Sequence, residues 1–89
     1  MAEPIFTFDA EANAYISDSF TIEDEAIVEI ELDSAAPVVT LKMEDDGGYA
    51  NYGQTPEPQH DAYRIKMVCR GSEQVKLATP VSVKKCIVY

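Results

Sequence analysis

Tryptophan is absent from this 89-residue chain, histidine and cysteine are nearly so (one and two residues), and seven bases stand against sixteen acids. Each shortage excludes something. Carbohydrate-binding surfaces lean on broad aromatic platforms, and the largest of the aromatic side chains is missing. A lone histidine, with no nucleophile elbow and no metal triad, leaves an enzyme as the last reading and calls for no cofactor or metal. Two cysteines without C-x-x-C spacing make neither a disulfide scaffold nor a zinc site. The acid excess, a formal net charge of −9, opposes direct nucleic-acid binding, where Lys and Arg must replace counterions along the phosphates. Any charged partner is then expected to be basic.

Long apolar runs are also missing. No segment approaches the ~20 residues of a membrane span, so no membrane contact is expected. The opening residues Ala2, Glu3 and Pro4 lack the basic start and apolar centre of a secretory signal. Cytoplasmic residence is the default, with a virion or cell-surface setting left open. There is no Gly-rich phosphate loop, repeat, heptad or low-complexity tract.

What is present fits one domain spanning residues 1–89: 46% hydrophobic and 26% charged residues are an ordinary globular composition. The charges are sorted along it. Residues 1–46 carry thirteen acids and one base, Lys42, for −12; residues 47–89 carry three acids and six bases, for +3, which together give −9. Like charges on adjacent strands repel and opposite ones pair, so this sorting bears on which segments meet.

Alternation with period two dominates, and β-branched or aromatic residues fill most apolar positions, the pattern of half-buried antiparallel strands. Phe6 and Phe8 share a face. Residues 9–14 read as a helical turn or a loop. Tyr15 and Ile16, then Phe20 and Ile22, form short strands broken at Ser17, Asp18 and Ser19. In residues 25–33, Val28, Ile30 and Leu32 point inward and Glu29, Glu31 and Asp33 outward.

The next run places Val39, Leu41 and Met43 inward, with Val38, Thr40 and Lys42 outward. A hairpin between these two runs sets Lys42 near Glu29, a cross-strand pair of ~0.2–1 kcal/mol. Asp45, Asp46, Gly47 and Gly48 mark a tight turn, from which residues 49–52 return as a strand; residues 53–59, with Pro56 and Pro58, form an exposed loop.

Tyr63, Ile65, Met67 and Cys69 then face inward, followed by Val75 and Leu77, and by Val81 and Val83. A β-bulge at Lys84 and Lys85 returns Cys86 and Val88 to the core side. Read as a meander, residues 61–69, 74–79 and 81–89 hold Cys69 and Cys86 two strands apart, ~9–10 Å, beyond the ~7 Å Cα limit for a disulfide. Both thiols are therefore expected free and partly buried.

Seven or eight short strands with polar turns predict an all-β, single-domain antiparallel β-sandwich, with a small β-barrel as the alternative. Immunoglobulin-like or jelly-roll-like sandwiches share that strand count, but the Cys, Trp, Cys pattern of antibody-type domains is missing, so the comparison is one of architecture only.

Candidate chemistry is sparse. His60 beside Asp61 suggests a general base, against the plainer reading of a solvated loop. Glu44, Asp45 and Asp46 offer oxygens to calcium but lack the D-x-D-x-D-G spacing, so a charged hairpin tip explains them. The residues singled out for partner binding are an acidic stripe, Glu23, Glu25, Glu29, Glu31 and Asp33, and the tyrosines Tyr49 and Tyr52, with Tyr63 nearby. The plain accounts are a solvated outer face and ordinary strand residues.

Three functions stay open. A non-enzymatic protein-interaction or structural module, as in a shell, fibre or appendage, uses its charged sheet surface toward a protein partner or another copy. A small acidic inhibitor or adaptor occupies a basic, nucleic-acid-like groove of a partner. A carbohydrate-binding or adhesion domain uses the loop tyrosines.

Overall fold

The computed structural model describes residues 2–44, 47–51, 63–71 and 73–89. Among them every regular element is a strand, nine in all: β1 (Phe6–Asp9), β2 (Ala14–Ser17), β3 (Phe20–Ile22), β4 (Glu25–Leu32), β5 (Val39–Met43), β6 (Tyr49–Asn51), β7 (Arg64–Arg70), β8 (Glu73–Thr79) and β9 (Val83–Val88). They form two antiparallel sheets that curl toward a half-barrel. One holds six strands, ordered β1-β2-β8-β5-β6 with β3 also on β8; the other is β7-β4-β9.

Both sheets turn their inner faces to one core. Ile22, Val75, Leu77 and Val38 come from the first, and Val28, Ile30, Leu32 and Ile65 from the second. Burying each such side chain stabilises the fold by about 1.5–3 kcal/mol. The eight residues of β4 alternate strictly, every second one buried, because this central strand packs on one face only.

Local chemistry sets the turns. Asp9 Oδ1 accepts the amides of Glu11 and Ala12 (3.0 and 3.3 Å), an Asx turn that joins β1 to β2 with Asn13 at φ 52°. β5 and β6 form a hairpin: the Glu44 amide donates to Gly48 O, the Gly47 amide donates to Glu44 O, and Gly47 takes φ 88°. The bulge on β9 also forms where the lysine phase required it. Glu31 pairs with Lys85 but Leu32 pairs with Val83, so Lys84 is passed over.

β2 and β3 act as one interrupted strand along β8, broken at Asp18. Ile16 pairs with Ala78 and Phe20 with Val75, leaving Leu77 opposite the break. Ser17 repairs the gap. Its hydroxyl accepts the Leu77 amide at 2.9 Å and donates to Asp18 O. A buried N–H is thereby satisfied by a side chain where the ladder fails.

Four expectations are corrected. Tyr63, expected inward, is 48% exposed just before β7 begins. β4 and β5 do not form a hairpin, because they lie in different sheets; Glu29 stands opposite Lys66 and Ile87, and Lys42 opposite Ala50 and Val75. The phase of β5 is inverted: Val38 and Thr40 are buried, Val39 and Leu41 half-buried, and Met43 exposed. Alternation alone favours the fully apolar set Val39, Leu41 and Met43 over Val38, Thr40 and Lys42. Pairing with β8 instead selects the phase that sets Thr40 beside Leu77, and Thr40 there hydrogen-bonds the Cys69 thiol from the facing sheet.

Nor do β7, β8 and β9 make a meander, since they alternate between sheets. The strand separating Cys69 from Cys86 is β4, where they stand opposite Ala26 and Ile30. Both thiols are free and buried.

Candidate functional site

The outer face of the three-stranded sheet collects most of the singled-out acids. Alternation on β4 points Glu25, Ile27, Glu29 and Glu31 outward, and register then decides what stands beside each. On β7 these are Arg70, Val68, Lys66 and Arg64 in turn. On β9, Ile87 lies beside Glu29 and Lys85 beside Glu31, while Tyr89 exchanges backbone hydrogen bonds with Ile27.

The face is thus a central column of carboxylates flanked by bases. An apolar row, Ile27, Val68 and Tyr89, crosses it between the Glu25 and Glu29 levels, with Ile87 beside Glu29. Val68 and Tyr89 are 42% and 53% exposed. Three acids face four bases (Arg64, Lys66, Arg70 and Lys85), so the face carries a formal +1 although the chain carries −9.

Cross-strand Cβ atoms in such pairs lie ~4.5–5.5 Å apart, close enough for favourable opposite-charge contact. The Arg70 Nε–H donates to Glu25 Oε2 at 3.2 Å, with side chains 77% and 52% exposed. Water screens that pair, so it contributes about 0–1 kcal/mol. A shallow, open concavity runs over Glu29, Glu31, Lys66 and Lys85.

The remaining stripe acids lie apart from this face. Glu23 is exposed in the β3–β4 turn, where Asp24 adopts φ 71° and its carbonyl accepts the Gly71 amide at 2.8 Å. Asp33 follows the end of β4; its carboxylate accepts the Ser82 hydroxyl and its amide donates to Ser82 O. Tyr49 belongs to the other sheet, with the Lys76 ammonium 4.6 Å above its ring. Tyr52, His60, Asp61, Asp45, Asp46 and residues 53–59 lie outside the described residues.

Among the described residues no three His, Cys, Asp or Glu side chains converge as a metal site. Burial pushes the Cys86 thiol up to about 12, and the Asp18 carboxylate adds to the rise. Cys69 is raised by burial too, against a smaller lowering by its Thr40 hydrogen bond. Both stay protonated at neutral pH and make poor nucleophiles.

Alternation places Val68 outward with Arg64, Lys66 and Arg70, but sequence reasoning did not reach Ile27, Ile87, Tyr89 and Lys85 as members of this face. Ile27, alternating with the acids of β4, carried a signal of the same kind; Ile87, Tyr89 and Lys85 join only through strand register. Neither protein-family models, nor curated proteins, nor solved structures provide a match to this chain.

Proposed function

We propose that this chain is a non-enzymatic protein-interaction or structural module, a small β-sandwich that makes contact through the outer face of its three-stranded sheet. One observation carries the reading: in-register columns of acids and bases surround exposed apolar side chains on a single sheet face. Protein contacts are organised in this way, with an apolar centre for affinity and a charged rim for orientation.

The buried, protonated thiols argue against covalent catalysis. The acids of β4 are each faced by a base and do not present an unopposed row of carboxylates, which disfavours a phosphate mimic. Tyr49 has one ring face taken by Lys76, so it offers little to a stacked sugar.

A photo-crosslinking amino acid in place of Val68, compared with the same group in place of exposed Thr21 on the other sheet, tests the assignment in native lysate. A discrete adduct is expected from the Val68 position and none from Thr21. No adduct at the Val68 position, or equal adducts at both, removes the reading.

A further inference from the structure

We infer that the partner of this face is a second copy of the chain, seated by a twofold axis running along the seam between β4 and β7. This rests on the interaction-module reading and names its occupant. Opposite residues of an antiparallel pair stand side by side at one height, with the strands ~4.8 Å apart. Here that rule sets Glu25 beside Arg70, Ile27 beside Val68, Glu29 beside Lys66 and Glu31 beside Arg64.

A half-turn about the seam lays the second face on the first, exchanges left with right and leaves height unchanged. β4 of one copy then lies over β7 of the other, twice by symmetry. Every glutamate meets the base of its own register partner on the other copy, and Ile27 meets Val68. The pattern is self-complementary because the ladder is in register.

Other twofold placements fail on charge. An axis along β4, or across the strands through it, stacks β4 on β4 and glutamates on glutamates or on Ile27. An axis along the β4–β9 seam sets Glu29 over Ile87 and leaves Glu31 over Lys85 as its one opposite-charge contact.

Facing sheets pack ~10 Å apart and cross at about 30°, so the central residues stay aligned while the ends shift by ~5 Å, a gap that Arg and Glu side chains span. The pairing already present within each copy is no obstacle. An exposed pair contributes little, and a carboxylate keeps lone pairs for a second donor.

Sedimentation equilibrium over a wide concentration range, at low and high salt, provides the test. Wild type is expected to dimerise reversibly, more tightly at low salt. Glu29→Lys places the new lysine over Lys66 of the other copy, and Lys66→Glu places the new glutamate over Glu29. Each alone is expected to weaken the dimer roughly 100-fold, with an unchanged circular-dichroism spectrum showing that the fold persists.

Mixed in equal amounts, the two single variants are expected to form a heterodimer of near wild-type affinity, because each supplies the sign that the other now needs. Wild type that stays monomeric throughout, or a mixture no tighter than its components, overturns the inference. A Val68 adduct to a different protein alongside a monomeric wild type discards the second copy while keeping the interaction module.

Discussion

The two outer faces of this molecule are built by the same rule from different material. On the six-stranded sheet, register brings Ile16, Ala78, Val39, Leu41 and Met43 to one side, mostly half-buried, with Lys76 laid over Tyr49. On the three-stranded sheet the same side-by-side pairing brings acid to base at three successive charged levels of β4 and β7. An apolar face tolerates many docking orientations, since burial of apolar area is non-directional. A face of alternating charge columns tolerates few.

That contrast can be broken at several depths. The deepest cut is Leu77→Ala, in the core that both sheets share: about 2–5 kcal/mol of stability should be lost, read as a lower urea midpoint with both faces failing together. Next, Ser17→Ala strikes the six-stranded sheet alone. It strands the buried Leu77 amide and is expected to cost about 1–3 kcal/mol, whereas exposed Ser19→Ala should change stability by less than about 0.5 kcal/mol; similar losses for the two would discard the ladder-repair role.

On the other sheet, Cys86 ties stability to alkaline pH. Its folded-state pKa lies above the ordinary value of 9.0, at about 12, so the contribution is fully present below pH 9 and is lost as pH rises toward 12. Wild type should therefore lose stability relative to Cys86→Val across that window, while the two run parallel from pH 6 to 8. Parallel curves up to pH 12 would contradict a buried thiol.

The smallest effect belongs to the charged face itself. Glu25→Gln should cost no more than about 1 kcal/mol and nothing measurable in high salt, so a large, salt-insensitive loss would mean that the Glu25–Arg70 pair is a structural element instead of a docking one.

Much of this was legible beforehand, for reasons that particular residues make plain. Val28, Ile30 and Leu32 could be assigned inward because Glu29, Glu31 and Asp33 alternate with them, leaving one phase open to β4. The β9 bulge could be placed because continuing the phase would bury Lys85. The phase of β5 could not be read because alternation favours the apolar set Val39, Leu41 and Met43, whereas pairing with β8 sets Thr40 beside the buried Leu77. The Lys42–Glu29 pair was misplaced because a short connection such as residues 33–38 reads equally as a hairpin turn or as an arch from one sheet to the other.

The chain's own order of residues determined that it forms strands, where most of them turn, and that its acids precede its bases. Side-chain alternation and turn chemistry depend on neighbours within a few residues, so they can be read locally. Only the tertiary structure decided that the acids of β4 stand between the bases of β7 and β9. That outcome depends on which distant segments close on each other, Glu29 on Lys66 for instance, and a one-residue slip in register would turn the same charges toward the core.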